Sequence, residues 1–149
     1  MIFMAFLLSV ASSTAFIWNG KDKFVRKDWL LFAFKFFIAM AGAIVFGFML
    51  KAMVSAGLSL SIQEGKTLTA QVCLSLVCIF GLKFLVVALC AMFSEVMGFH
   101  QQHNTKENYE VLSSISNRTA PFLLVSFKVV MTLASLLIYY GIWPGMAVK

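Results

Sequence analysis

Four long apolar stretches, separated by short polar segments, make up most of the sequence. They run from about residue 2 to 18, from 29 to 50 with a helical extension to about 62, from 67 to 99, and from 121 to 143. A hydrocarbon layer about 30 Å thick needs about 20 helical residues to cross it. The pattern therefore predicts an all-α, polytopic integral membrane protein with four transmembrane helices, the first of them short.

The second and third stretches are joined by a short turn at 63–66. Each is apolar for about 30 residues, which as a helix would be about 45 Å long and would exceed the hydrocarbon thickness. Such helices tilt or protrude, and we expect these two to form a long antiparallel hairpin. Residues 1–149 then form a single transmembrane domain with one large polar loop at 100–119, after which Pro121 opens the fourth helix, where its missing N–H costs little.

The composition supports a membrane setting. Hydrophobic residues make up 61% of the chain and charged residues 12%, against about 45–50% and about 25% in soluble domains. The net charge of +6 is explained by basic residues that flank membrane spans and face anionic headgroups. The lipid bilayer is the expected partner, and no nucleic-acid-binding module is indicated.

The basic residues are distributed unevenly between the two sides. Six lie in the first and third loops: Lys21, Lys23, Arg26, Lys27, Lys106 and Arg118. The other side holds Lys51, Lys66 and Lys149. The positive-inside rule places the larger group in the cytoplasm, so both termini and the turn at 63–66 are expected on the non-cytoplasmic side. Small size and short loops favour a bacterial inner membrane.

Three lysines lie within predicted spans. Lys35 and Lys128 are six or seven residues from the cytoplasmic ends of theirs, and each could extend its ammonium group to the headgroups. Lys83 lies near the middle of the third stretch, where an insertion cost of about 2.5–3.5 kcal/mol demands an explanation. We expect Lys83 to face the bundle interior, a water-filled cavity or the carboxylate of a partner, either with a function or merely tolerated.

Glu95 is the acidic residue placed deep in a predicted helix. It is 12 residues from Lys83, which is about 18 Å along a helix and too far for a direct pair. An ion pair with Lys35 or Lys128 is the geometrically sensible alternative. On that hypothesis Glu95→Gln lowers yield or assembly.

Two patterns of small residues predict close helix packing. One steps by four between Lys35 and Lys51, through Ala39, Ala43 and Gly47, and the other joins Ala5, Ser9 and Ser13. The fourth helix carries a polar stripe that we expect to face inward, formed by Lys128, Thr132, Ser135 and Tyr139. Either bundle packing or the lining of a polar pathway would account for these patterns.

Motifs for catalysis or metal binding are missing from the sequence. Cys73, Cys78 and Cys90 lie in one apolar stretch, where cysteine behaves as a small hydrophobe. His100 and His103 stand at a spacing compatible with one metal ion, but a structural site usually needs four ligands. We expect no metal, no cofactor and no catalytic residue, and we do not expect an enzyme.

Because the sequence lacks motifs for catalysis and metal binding, we expect a binding function. The first hypothesis is a non-catalytic protein that binds a membrane-protein partner, or further copies of itself, through helix–helix contacts. It would serve as an accessory subunit of a secretion, conjugation or transport complex, or as an exclusion or immunity protein. The alternative is an oligomeric channel, a holin-like pore or a transporter subunit with a polar path near Lys83.

Overall fold

A computed structural model describes residues 2–57 and 61–147 of the chain. Its secondary structure is helical throughout that part, with four helices and one short terminal turn: α1 (Ile2–Trp18), α2 (Arg26–Ser55), α3 (Ile62–His103), α4 (Lys106–Ile142) and α5 (Pro144–Ala147). Three helices, α2, α3 and α4, are long and apolar enough to cross a membrane, whereas α1 has 17 residues. The predicted all-helical membrane-protein class is confirmed. The predicted position of the termini concerns Met1 and Lys149, which lie outside the described residues.

Helix α1 packs against α3 and α4, and α3 also packs against both α2 and α4. Ile17 of α1 is fully buried against Leu82 and Val86 of α3. At the opposite end of α1, a second apolar cluster surrounds Tyr139 and Trp143, and Phe6 of α1 packs against it. Apolar burial of this kind stabilises the bundle even in lipid, because close-packed side chains gain dispersion contacts.

Helix α2 lies on the outside of the bundle and packs on α3. Its contacts run in the reverse order along α3: the rings of Trp29 and Phe84 are 5.8 Å apart, and Gly47 lies against Thr69. Within α2, all of whose residues the structure describes, burial is limited to Ala43. Most of this helix therefore faces the surrounding medium. Because its exposed side chains are apolar, that medium must be lipid.

The boundary between α2 and α3 differs from the prediction. Helix α2 ends at Ser55, and Gly57 adopts φ +96°, a conformation that favours glycine and ends a helix. The predicted extension to about residue 62 is therefore wrong, although residues 58–60 within it lie outside the described residues. Helix α3 begins at Ile62 rather than 67 because Ser61 and Glu64 form a capping box, each side chain accepting the backbone N–H of the other at 3.2 and 2.8 Å.

The polar loop predicted at 100–119 is also wrong. Helix α3 continues to His103 and α4 begins at Lys106, so two residues separate them. The segment forms the first part of α4, and Tyr109 and Ser116, seven residues apart, line its side towards α3. Pro121 consequently lies inside α4 and not at its first turn.

The ends of α3 and α4 continue together past the first loop. Lys23 of that loop and Cys90 of α3 line the same cleft, so the remainder of α3, residues 91–103, extends roughly 20 Å beyond the loop. The returning part of α4, residues 106–122, runs back along it. We call these two segments the α3–α4 extension.

The contact between Gly47 and Thr69 provides a test of the packing between α2 and α3. A Cβ atom added at Gly47 would lie 2.8 Å from the Thr69 γ-methyl group, whereas one added at Gly42 would meet nothing within 4 Å. Gly47→Ala should therefore lower the free energy of unfolding by about 1–3 kcal/mol through overpacking. Thermal unfolding in a mild detergent measures the loss.

Two further variants control this prediction. Gly42→Ala should be neutral or slightly stabilising, because alanine is the better helix former. Thr69→Ala in the Gly47→Ala background should restore stability by removing the colliding methyl group. Equal effects of the two glycine substitutions would show that the predicted contact does not form.

Candidate functional site

Two lysines that lie in different helices share one carboxylate. The Lys83 side chain is 3% exposed and the Lys128 side chain is 8% exposed. The Lys83 ammonium nitrogen lies 3.2 Å from Asp22 Oδ1, and the Lys128 ammonium nitrogen lies 2.6 Å from Asp22 Oδ2. Both oxygens of Asp22 are thus engaged, each by a different helix, and the first loop is tied to α3 and α4 at once.

The path of the first loop brings Asp22 to this position. Helix α1 ends at Trp18, and Gly20 follows with φ +86°, which allows a tight turn. The Lys83 ammonium group also donates to the carbonyl oxygens of Asn19 at 3.4 Å and Ile17 at 3.5 Å. These carbonyls lie at the C-terminal end of α1, where the helix dipole favours a positive charge.

Trp18 joins the same cluster from α1. Its indole N–H donates to the Thr132 hydroxyl oxygen at 3.0 Å. The Lys128 ammonium nitrogen lies 5.9 Å from the centre of the Trp18 ring, within the range of a cation–π interaction. We call Trp18, Asp22, Lys83, Lys128 and Thr132 the Asp22 cluster.

The charges in the Asp22 cluster sum to +1, with two ammonium groups on one carboxylate. Removing one partner from a buried ion pair costs far more than the pair contributes, because it leaves a charge without compensation. Asp22 is therefore the critical member, since its loss would leave two buried lysines unpaired, whereas the loss of one lysine would leave a normal pair.

The Asp22 cluster decides between the alternatives for Lys83. Lys83 faces the bundle interior, where 3% of its side chain is exposed, and its carboxylate is Asp22 of the same chain and not one from a partner. It also does not lie at the middle of the bundle: Phe84, its neighbour, contacts Trp29 in the first turn of α2. The midpoint of α3 in sequence differs from the midpoint of the bundle because α3 has 42 residues and extends past its neighbours.

The hypotheses for Lys128 and Glu95 are also corrected. Lys128 is buried in the Asp22 cluster and does not extend its ammonium group to the headgroups. Glu95 and Lys35 are exposed, and within residues 2–57 and 61–147 neither forms an ion pair. The predicted pairs Glu95–Lys35 and Glu95–Lys128 are therefore not formed.

A second set of polar contacts involves Ser9, near the middle of α1. The Trp143 indole N–H is shared between the hydroxyl oxygens of Ser9 at 3.0 Å and Ser75 at 3.1 Å. The Gln71 amide donates to the Ile142 carbonyl oxygen at 2.9 Å, and the Tyr139 hydroxyl donates to the Ser75 carbonyl oxygen at 3.4 Å. These bonds join α1, α3 and α4, and we call them the Trp143 network.

The predicted packing residues have different environments. Ser9, Ser13, Ser135 and Tyr139 are buried in the bundle, and Thr132 is half-buried. On α2, Ala43 is buried, while Ala39 and Gly47 are half-buried. Lys51 at the end of that pattern is exposed.

Four residues of the site were not predicted: Trp18, Asp22, Gln71 and Ser75. Asp22 lies in a loop with four basic neighbours, a composition typical of a solvated segment. The sequence nevertheless limits the choice of partner. A lysine inside a span requires a carboxylate, and Asp22 is one of only six acidic residues that could pair with Lys83 or Lys128.

Chemically, the Asp22 cluster is a structural clamp and not a reaction centre. The Asp22 carboxylate accepts from two ammonium groups, and the Trp18 N–H and the Thr132 hydroxyl are bonded to each other. Nucleophilic catalysis needs a nucleophile within hydrogen-bond reach of a free base. Among the described residues, the polar groups of this cluster are already engaged with one another.

Substitution of Asp22 tests the clamp. Asp22→Asn leaves two buried ammonium groups without a carboxylate and should lower the free energy of unfolding by about 3–5 kcal/mol. Lys83→Met should cost less, because Lys128 retains Asp22. Thermal unfolding in lipid nanodiscs measures both variants.

The decisive comparison for the clamp is a triple variant. Adding Lys83→Met and Lys128→Met to Asp22→Asn removes every charge and should recover most of the lost stability. Asp28→Asn, which removes a carboxylate paired with the exposed Lys21, is the matched control and should have a smaller effect. The clamp is refuted when Asp22→Asn and Asp28→Asn are equally stable.

Substitution of Trp143 tests the second network. Trp143→Phe keeps an aromatic ring but leaves the Ser9 and Ser75 hydroxyls without their shared donor, at a cost of about 1–3 kcal/mol. Backbone hydrogen–deuterium exchange in the first turns of α1 should rise. Tyr140→Phe, at a position that is 63% exposed, should leave exchange unchanged, and a similar rise in both variants would argue against the network.

Comparison with known proteins assigns the chain to no group. No protein-family model, no curated protein and no solved structure matches it. The helices, the Asp22 cluster and the α3–α4 extension are therefore the basis for the proposed function.

Proposed function

We propose that this chain is a non-catalytic integral membrane protein that binds a membrane-protein partner through helix–helix contacts. In this role it is an accessory subunit of a secretion, conjugation or transport complex, or an exclusion or immunity protein. The proposal places four spans in a bacterial inner membrane, with α2 and α3 as an antiparallel hairpin and both termini on the non-cytoplasmic side.

The observation that carries this proposal is the α3–α4 extension. Its α4 segment has apolar side chains exposed on the side opposite α3: Val111 is 60% exposed, Ile115 is 55% exposed and Phe122 is 73% exposed. The spacings of four and seven residues put them on one helix face. We call this face the Val111 stripe.

The Val111 stripe has the distribution of apolar and charged residues that is typical of a protein–protein contact surface. Exposed apolar residues on α2 need no partner, because lipid covers them. Val111 and Ile115 instead lie in a polar part of the chain, beside Glu107 and Arg118. An apolar centre with a charged rim is typical of protein–protein interfaces.

The distribution of charge favours a cytoplasmic position for this surface. The basic residues of the first loop, among them Lys23, lie at the end of the bundle from which the extension emerges. Lys106 and Arg118 belong to the extension itself. By the positive-inside rule, all of these residues belong on the cytoplasmic side, and the partner would be met there.

The alternative function, a pore or transporter subunit with a polar path near Lys83, has less support. That hypothesis started from polar residues in the spans that lacked an explanation. Lys83 and Lys128 now have a partner in Asp22, and Ser9 and Ser75 are bonded to Trp143. These contacts account for the polar residues without a solute pathway.

Co-purification tests the proposed function. The tagged protein, extracted from its native membrane in a gentle detergent, should recover a larger membrane protein in a fixed stoichiometric ratio. Val111→Lys combined with Ile115→Lys places two charges in the apolar stripe and should reduce recovery at least tenfold, as expected for a desolvated interface centre. Ser114→Lys, at an exposed polar position of the same helix, is the matched control and should not.

Two outcomes would contradict this proposal. Recovery that is unchanged in the Val111→Lys, Ile115→Lys variant would exclude the stripe as the contact. Solute flux through liposomes that contain only this protein, lost on Lys83→Met, would favour the pore.

A further inference from the structure

A cleft of about 470 Å³ lies between α3 and α4 at the base of the α3–α4 extension. Its walls are apolar on the α3 side, where Phe93 and Met97 contribute, and on the nearer part of α4, where Leu124 contributes. Further along α4 the wall is polar, with Ser116 and Asn117. The volume lies within the range of about 300–1,000 Å³ that is usual for binding sites of small molecules.

The charge around this cleft is positive. Lys23 lines it, and no acidic residue is among its described lining residues. Lys23 has no carboxylate within 4 Å in the part of the chain that the structure describes. Asp22, the neighbour of Lys23 in the sequence, is paired with both Lys83 and Lys128, so these four charges sum to +2.

The position of the cleft along the bundle points to a lipid. It lies beside the first loop, at the level where α1 ends and α2 begins. Basic loop residues next to apolar helix ends are typical of the headgroup region. A ligand that reaches the cleft from the membrane is a lipid and carries an acyl chain.

We infer that this cleft binds an anionic phospholipid, with its acyl chain against the apolar wall on the bundle side, at Leu89 and Leu124, and its phosphate group at Lys23. Basic sites between transmembrane helices recognise anionic headgroups in this way. Ser116 and Asn117 supply hydroxyl and amide donors for the remaining phosphate or glycerol oxygens. The site is independent of the Val111 stripe, which lies on the opposite side of α4.

Native mass spectrometry of the purified chain in a neutral detergent tests this site. Titration with phosphatidylglycerol should give saturable binding, and titration with phosphatidylcholine of the same acyl chains should give binding at least tenfold weaker. Lys23→Gln should weaken phosphatidylglycerol binding about tenfold, because a hydrogen bond to a charged group is lost. Lys27→Gln, an equal change in net charge at an exposed position outside the cleft, should leave it unchanged.

A second variant locates the acyl chain. Cys90→Phe fills the cleft without changing any charge and should abolish the saturable binding. The inference is overturned when phosphatidylcholine binds as tightly as phosphatidylglycerol, when Lys27→Gln weakens binding as much as Lys23→Gln, or when Cys90→Phe binds normally. Complete competition by inorganic phosphate would also overturn it, in favour of a soluble anion.

Discussion

The structure depends on one carboxylate that neutralises two buried ammonium groups. Lys83 and Lys128 project from neighbouring helices into a space with little access to water, where an isolated charge is costly. Asp22 reaches both from a loop, at 3.2 and 2.6 Å. The position of the first loop, the end of α1 and the spacing of α3 and α4 at this level are therefore fixed by a single residue.

This constraint also explains how a short helix is held in a bundle of long ones. Helix α1 has 17 residues, or about 25 Å, which is less than the thickness of a typical hydrocarbon layer. At one end its last carbonyls accept from Lys83, and Trp18 donates to Thr132. Near the middle of α1, Ser9 accepts from Trp143. Polar contacts at its C-terminal end and its middle compensate for the limited apolar length of α1.

The three-helix core and the exposed extension differ in their surfaces. In the core of α1, α3 and α4, the Asp22 cluster and the Trp143 network engage buried polar groups with one another, whereas the Ser13 hydroxyl is buried without a hydrogen-bond partner among the described residues. The α3–α4 extension has no third helix to cover it, and it presents the Val111 stripe on one side and the cleft on the other. This division suits a protein whose function is to bind and position other molecules in a membrane.

The sequence predicted the helical membrane class because composition and apolar length are sufficient for that conclusion. It also placed the boundaries of α1 and the end of α4 well, where Trp18 and Trp143 mark the change to polar or helix-breaking residues. It failed at 100–119, because a helix that carries many polar residues has the overall polarity of a loop. Pro121 was in turn expected at a helix start, whereas it lies inside α4, where it lacks the backbone N–H for one helical hydrogen bond.

The site was harder to predict than the fold, for a physical reason. Lys83 and Lys128 were identified as charges that needed an explanation, but ion pairs form between residues that are distant in sequence. Asp22 is 61 residues from Lys83 and 106 residues from Lys128. Their relative heights depend on how far α3 extends beyond its neighbours, which no local pattern encodes.

The most direct test of the shared carboxylate is magic-angle-spinning NMR of the chain in lipid bilayers. The experiment measures dipolar couplings between the Asp22 carboxyl carbon and the ammonium nitrogens of Lys83 and Lys128. The account predicts strong couplings from this one carbon to both nitrogens. A Lys83 or Lys128 nitrogen that couples instead to Glu95, or to no carboxyl carbon, would contradict it.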